Sequence, residues 1–438
     1  MNAMNNDRLI LLAIILFASI LFGGLDSASS QDKKSERKPR QEVAKEKPDP
    51  TKFEMHEWGV FTAPRDATWL KQDMVAEWSS FPDFFHGVWP KQKLSYRGPV
   101  TKPVIYFHTD QVLNIRLEVR FAKGRPLVWW PPAEHPNVGA PWVQSLTGKK
   151  FDKDTFVQFQ LRTNDGLERQ RKVPKGHWLE ALRKVKSASV MSYGSHNQFR
   201  EHYQGREQES FVYYDGLMPA PKPPQLERSK TGVIIKTDSR HDWHDIFLIE
   251  RSENGVRVAS KAIDRIERGN NEFTIQWKNL GKGGLDDQKA RFRKICIANG
   301  LNEDEADSIL SVWGKGLFDR SGITLLYRIS QATYDEWIPI ATKPKAFKTK
   351  RVGWIVHHHL EPELQQNVKR MISDLGSTDY QKRKLADDGL REIGGPAMEQ
   401  IRQAMDTASP EVRLRCKKIL RIEELEKKVG ELMKKYRE

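Results

Sequence analysis

Between residues 53 and about 280, apolar and polar positions alternate in short runs, a pattern typical of β-strands. Residues 112–121 alternate in this way, and continuous apolar runs occupy residues 104–107 and 126–130. The tripeptides NDG at 164–166 and ENG at 253–255 are turn signals between further runs and predict two hairpins. Because no helical run separates these short strands, the pattern predicts an antiparallel, β-sandwich-like body.

Helical periodicity begins near residue 286, where apolar residues recur every three or four positions. It predicts a helical hairpin at about 286–315, inserted before strands at 323–329 and 350–357. Asn302, with Glu305 three residues later, is a capping-box signal for the second helix of this hairpin.

From residue 363 onward the whole pattern is helical, and breaks at Gly394-Gly395-Pro396 and Ser409-Pro410 divide it into successive amphipathic helices. Their spacing resembles one HEAT-type repeat and part of a second. A last helix carries an apolar stripe that comprises Ile422, Leu425, Val429 and Leu432. The sequence therefore predicts an α+β protein with a β-rich body at 53–362 and a small all-α HEAT-like module at 363–438. We expect the helices of this module to bind another protein.

The N-terminal apolar run, residues 9–25, lies between Arg8 and Asp26 and is followed by small residues at 27–30. This layout is typical of a secretory signal peptide, and its length also approaches the ~20 residues of an uncleaved membrane anchor. Residues 31–52 consist mostly of Lys, Arg, Glu, Asp and Pro and predict a disordered linker. Residues 1–30, as signal peptide or anchor, therefore predict export to the periplasm or cell envelope.

The chain is basic, with 73 Lys and Arg residues against 58 Asp and Glu and a formal net charge of +15 at pH 7. The basic residues are spread along the chain rather than gathered in blocks interleaved with aromatic residues, so the pattern does not favour nucleic acid as a partner. For an exported protein, this charge favours an anionic envelope polymer or a membrane surface.

The folded body opens with the octapeptide MHEWGVFT at residues 55–62. It resembles the HEWG-T-F-T opening of a family of exported, uncharacterised proteins abundant in planctomycete bacteria, with Val60 in place of the usual Thr. Residues 102–107, residues 209–216 and the helical hairpin ending at Trp313 fit further segments of that family in order. The resemblance implies export and this fold; it brings no catalytic residue, cofactor or activity with it.

Two histidine pairs are the candidate metal ligands, and a divalent metal is the cofactor they would bind. His241 and His244 lie in the segment HDWHD, where a predicted loop can turn both imidazoles inward. His357 and His359 end a predicted strand, and strand alternation would put them on one face about 7 Å apart.

Glu57 and Asp242 are the candidate catalytic carboxylates, because either could transfer a proton beside a bound metal. Asp242 lies within the HDWHD segment. His56 and Glu57 are neighbours in a predicted strand and therefore point to opposite faces, so the two cannot enter one pocket.

The chain has thirteen tryptophans, and Trp129, Trp130 and nearby Trp142 lie close together in sequence. Exposed rings would stack on sugar faces or peptides, which makes these three the candidate binding residues. Burial in the core is the commoner role of such large aromatic side chains.

Two functions compete for this sequence. The favoured one is a non-catalytic binding or scaffold protein of the cell envelope. The alternative is a metal-dependent hydrolase of a periplasmic polymer, with one histidine pair as metal ligands and Glu57 or Asp242 as the proton-transfer group. No sequence feature identifies the ligand or the substrate.

Overall fold

The structure is a computed structural model. It describes residues 53–63, 81–82, 84–87, 100–101, 103–134, 156–164, 170–192, 207–219, 221–252, 255–281 and 284–420. The predicted signal peptide or anchor at 1–30, the predicted linker at 31–52 and the apolar stripe after residue 421 lie outside these ranges.

Nineteen strands form in the described part of the chain. They are β1 (Glu54–Thr62), β2 (His86–Gly87), β3 (Val100–Thr101), β4 (Val104–His108), β5 (Asn114–Arg120), β6 (Arg125–Trp130), β7 (Phe156–Asn164), β8 (Ser189–Ser192), β9 (Glu207–Glu209), β10 (Val212–Leu217), β11 (Gln225–Arg228), β12 (Gly232–Ser239), β13 (Trp243–Ser252), β14 (Gly255–Ala259), β15 (Ile263–Ile266), β16 (Gly269–Gly281), β17 (Gly322–Ile329), β18 (Ile340–Lys343) and β19 (Lys348–His357).

Eight helices form in the same ranges. They are α1 (Leu179–Leu182), α2 (Asp286–Ala298), α3 (Glu303–Phe318), α4 (Gln331–Trp337), α5 (Leu364–Asp374), α6 (Tyr380–Ile393), α7 (Gly395–Thr407) and α8 (Pro410–Ile419). No helix of the described residues is long and apolar enough to cross a membrane.

The strands of the described residues belong to two sheets. The larger has fourteen strands in the order β11-β12-β16-β14-β13-β17-β19-β1-β3-β10-β6-β2, with β15 on β13 and with β4 on β1 and β10. The smaller has the order β18-β5-β7-β8-β9. β1 pairs in parallel with β19, and the other strand pairs of the larger sheet are antiparallel. The predicted mixed α+β class, with a β-rich body followed by helices, is confirmed.

The apolar side chains of β1 alternate between two hydrophobic clusters. Met55 and Phe61 belong to one cluster, and Trp58 and Val60 belong to the other, because successive side chains of a strand point to opposite faces. The predicted helical hairpin is α2 and α3, whose buried residues include Phe292 and join the cluster of Trp58. The hairpin therefore packs on one side of β1, and the other side faces a separate core.

The four C-terminal helices have a hydrophobic cluster of their own, which shares no member with the two clusters of the body. Its residues on α5 to α8 include Leu364, Leu390 and Ile401. Polar contacts join this module to the body: Arg228 Nε donates to Glu363 Oε1 at 2.9 Å, and Ser321 N donates to Glu392 Oε1 at 2.7 Å. The breaks predicted before α7 and α8 are where these helices begin.

One predicted hairpin is not seen in the described residues. The turn signal at 164–166 predicts a returning strand to residue 173; residues 165–169 lie outside the described ranges, and β7 pairs with β5 and β8. Residues 171–178 contain no strand, and Arg171 pairs with Glu207. The alternation in this segment is almost wholly among charged and polar residues, so it offers no apolar face for a sheet to bury. The hairpin predicted at 253–255 is confirmed by the pairing of β13 with β14.

Candidate functional site

The octapeptide of the family resemblance forms β1, and its Glu57 is the centre of a buried polar network. Tyr214 Oη, Tyr334 Oη (3.0 Å) and Arg351 Nε (2.5 Å) all donate to the Glu57 carboxylate. The Arg351 guanidinium also lies over the Tyr334 ring, 4.0 Å from its centroid. Glu57 is fully buried, and these contacts account for its burial as an ion pair that joins β1, β19, β10 and α4.

Gly59 makes room for this network. A Cβ at Gly59 would lie 2.8 Å from Tyr334 Oη, and one at Gly353, its partner in β19, would lie 3.0 Å from Tyr334 Cδ1. The paired glycines leave room for the Tyr334 side chain to lie close against β1 and β19. His56 lies on the opposite face from Glu57, as alternation predicted.

A cavity of about 550 Å³ lies beside the hydrophobic cluster that contains Met55 and Phe61. Its walls carry the aromatic side chains of His241, Tyr327 and Trp337. Charged side chains also line it: the cations are Lys123, Lys222 and Arg240, and the carboxylates are Asp238 and Glu336. The volume is within the range that small-ligand pockets occupy, and a few polar groups on apolar walls are typical of such pockets.

Aromatic rings are stacked behind this cavity. The Tyr327 ring stacks on Trp243, with centroids 4.4 Å apart, and on His357, with centroids 5.9 Å apart. Trp337 meets His241 edge to face at 4.9 Å. Tyr327 and Trp337, which sequence reasoning missed, have no motif around them, and only the fold brings them to this wall.

Several polar atoms of this stack are buried without a hydrogen-bond partner. They are His241 Nε2, Tyr327 Oη and both ring nitrogens of His357. Burial lowers the pKa of His241 to about 4 and, together with repulsion from His241, lowers the pKa of His357 to about 3. Both imidazoles are therefore neutral at pH 7. Unpaired buried polar atoms of this kind cost stability.

His241 and His244 are placed differently. His241 lines the cavity, whereas His244 lies within β13 and burial lowers its pKa. Asp242 accepts from Arg268 N at 2.9 Å and from Arg265 Nη2 at 2.7 Å, contacts that lower its pKa. The loop predicted for this segment ends early, because β13 already begins at Trp243. Asp242 therefore forms an ion pair with Arg265 of β15.

The alternation argument for His357 and His359 does not hold, because β19 ends at His357. His359 has a φ of 54°, which takes the chain out of the extended conformation on which that spacing depended. Its Nδ1 lies 3.7 Å from Glu361 Oε1.

Neither predicted histidine pair belongs to a group of three or more metal-ligating side chains in the described residues. The group that does form is His56, His108 and Glu305, from β1, β4 and α3. Sequence reasoning assigned Glu305 only to a helix cap, and His108 had no signal beyond its place at a strand end.

The tryptophans predicted to bind are in the core where the structure describes them. Trp129 and Trp130 are buried, and Trp130 Nε1 donates to Glu209 Oε2 at 3.1 Å. Because both rings are buried, neither has a face that a ligand could stack on. Burial is the commoner role of such side chains. Trp142 lies outside the described residues.

Comparison with known proteins identifies no family: no protein-family model matches the chain, and no curated protein matches it. Two solved structures are weakly similar. The Fcho1 Mu homology domain of Danio rerio with a bound Eps15 peptide is 9% identical with a TM-score of 0.25, over 70% of this chain and 94% of that one. The yeast delta-COP-I mu-homology domain complexed with a Dsl1 peptide is 8% identical with a TM-score of 0.22, over 71% and 98%.

Proposed function

We propose that this is an exported, non-catalytic binding protein of the cell envelope, and that it binds an acidic sugar unit of an anionic envelope polymer. The observation that carries the proposal is the cavity of about 550 Å³, whose wall carries the aromatic side chains of His241 and Tyr327. Its volume suits a ligand of the size of a sugar unit.

The other wall residues favour an acidic sugar. Trp337 is half-buried, so part of its ring is open to the cavity, and indole faces are suited to the apolar faces of sugars. Lys123, Lys222 and Arg240 supply cations for a carboxylate. A concave site of this kind suits one unit of a polymer better than the flat surface of a membrane, so we favour the polymer over the lipid.

We propose that the body is a β-sandwich-like scaffold for this cavity, and that the HEAT-like module at 363–438 binds a partner protein. Support for the second part comes from large apolar side chains that the helices leave exposed: Tyr380 and Leu385 on α6 and Leu414 on α8. The apolar run at 9–25 supports export through a signal peptide or anchor.

The alternative function, metal-dependent hydrolysis, would place a metal at His241 and His244 or at His357 and His359. Within the ranges that the structure describes, neither pair gains a third ligand. Catalytic zinc sites use three protein ligands, so this geometry favours binding over hydrolysis at these pairs.

Isothermal titration calorimetry with galacturonate oligomers tests the proposed function, with neutral glucose oligomers of the same length as the comparison ligand. We expect W337A and K222A to lower the affinity for the acidic oligomer at least tenfold. K230A, which removes an exposed lysine outside the cavity, should leave it unchanged. Equal affinity for the neutral oligomer, or an unchanged affinity in W337A, would contradict the proposal.

A further inference from the structure

On the other face of β1 from Glu57, three potential metal ligands converge. His56 Nδ1 lies 3.0 Å from Glu305 Oε2, and His108 Nε2 lies 3.0 Å from Glu305 Oε1. The two imidazole rings are 4.4 Å apart between centroids. One ligand atom from each of the three residues lies within 4.8 Å of the others. The cluster joins two adjacent strands to the first turn of α3.

We propose that His56, His108 and Glu305 bind a divalent transition metal of the zinc type. Two imidazole nitrogens and one carboxylate oxygen suit Zn²⁺, Fe²⁺ or Co²⁺ and do not suit Ca²⁺ or Mg²⁺, which prefer oxygen. In a tetrahedral site with bonds of about 2.0–2.1 Å, donor atoms lie about 3.3 Å apart. Each histidine nitrogen lies 3.0 Å from one oxygen of Glu305, close to this separation, and the three donors already lie within 4.8 Å of one another.

The Glu305 carboxylate is held in place at the cluster. Glu305 is fully buried, and each of its oxygens lies 3.0 Å from one histidine nitrogen. Asn302 N donates to Glu305 Oε2 at 2.7 Å in the predicted capping box, which fixes the orientation of the carboxylate.

Glu54 is placed to orient a metal-bound His56. His56 Nε2 is buried without a hydrogen-bond partner, and Glu54 Oε2 lies 3.5 Å from it. In the neutral tautomer in which His56 Nδ1 donates to Glu305, Nε2 carries a lone pair and cannot donate to the Glu54 carboxylate. A metal at Nδ1 shifts the ring proton to Nε2, which then donates to Glu54. Carboxylates commonly orient metal-bound histidines in this way.

The remaining coordination position opens to solvent. The His108 side chain is 19% exposed and that of Glu54 is 34% exposed, whereas His56 and Glu305 are buried. A water molecule can therefore complete the coordination from this side. Because Glu305 belongs to α3 and both histidines belong to the sheet, the ion would hold the helical hairpin against the body. This site is separate from the sugar-binding cavity and does not depend on it.

Titration of metal-free protein, prepared without a polyhistidine tag, tests the proposal with Co²⁺ and Zn²⁺ as probes. We expect one Co²⁺ per chain with the visible spectrum of a four- or five-coordinate ion, and a melting temperature that rises with added Zn²⁺. H108Q should lose both effects while melting in EDTA like the wild-type protein. H244Q, at a histidine outside the cluster, should keep both, and E54Q should bind 10–100-fold more weakly.

Substoichiometric binding by the wild-type protein, or equal binding by H108Q and H244Q, would overturn the proposal. Unchanged affinity in E54Q would overturn the assigned role of Glu54. Should H108Q fail to fold, paramagnetically shifted imidazole N–H signals of the Co²⁺-loaded wild-type protein decide the matter. Two ligating histidines are expected there, and none would overturn the site.

Discussion

Replacement of His357 by leucine should make the β-rich body less sensitive to acid. The imidazole is 1% exposed, and neither of its nitrogens has a hydrogen-bond partner. Burial, with repulsion from His241, lowers its pKa to about 3, against about 6.5 in an unfolded chain. Leucine is close in volume and has no group to protonate, so it should fill the same space at a cost below about 1.5 kcal/mol at pH 7.

The sign and size follow from proton linkage. Because the folded-state pKa is lowered, the unfolded chain binds the extra proton between pH 6.5 and pH 3, and stability falls as the pH falls through that window. Each pKa unit corresponds to about 1.4 kcal/mol, so His357 should remove about 3 kcal/mol of stability between pH 7 and pH 4.5. Above pH 7, His357 makes no pH-dependent contribution to the free energy of unfolding.

Urea unfolding at pH 7 and pH 4.5, followed by far-ultraviolet circular dichroism, measures this difference. H357L should lose about 3 kcal/mol less than the wild-type protein over this range. H244Q is the matched control, because His244 is half-buried and should contribute much less. If H357L and wild type lose stability equally, His357 is not held neutral inside the protein, and the description of the aromatic stack is wrong.

Three further predictions concern the body and its C-terminal module. G59A should lower the free energy of unfolding by about 1–3 kcal/mol, because its Cβ would lie 2.8 Å from Tyr334 Oη; combining it with Y334F in urea unfolding should reduce the loss. E57Q should lower the free energy of unfolding by about 3–5 kcal/mol in the same assay, because buried Arg351 would keep only the half-exposed Asp335 as an ionic partner; a near-zero change would contradict the ion pair with Glu57. Truncation after Glu363 should preserve cooperative melting of the body, because the C-terminal helices have a separate core; calorimetry that shows no cooperative transition would refute this.

Local pattern was sufficient for much of the fold. Short apolar runs predicted β4, β6 and β17, and apolar periodicity with a capping signal predicted α2 and α3. These elements were predictable because each contributes apolar side chains to a buried core. The segment before residue 173 failed for the opposite reason: its alternation is polar against charged, and nothing in it drives sheet formation.

The site residues depended on contacts that no local pattern encodes. The parallel pairing of β1 with β19 brings Glu57 beside Arg351, and the packing of α3 on β1 and β4 brings Glu305 to His56. Strand alternation correctly predicted that His56 and Glu57 lie on opposite faces of β1. It misjudged His359, because the end of a strand is among the least reliable features of any pattern.

The most direct test of the proposed binding function is a crystal structure of the protein soaked with galacturonate at saturating concentration. We predict density for the sugar in the cavity, with its ring against the Trp337 indole and its carboxylate within hydrogen-bond distance of Lys123, Lys222 or Arg240. Density for an ordered cavity without the sugar, or for the sugar bound only elsewhere on the protein, would contradict the account.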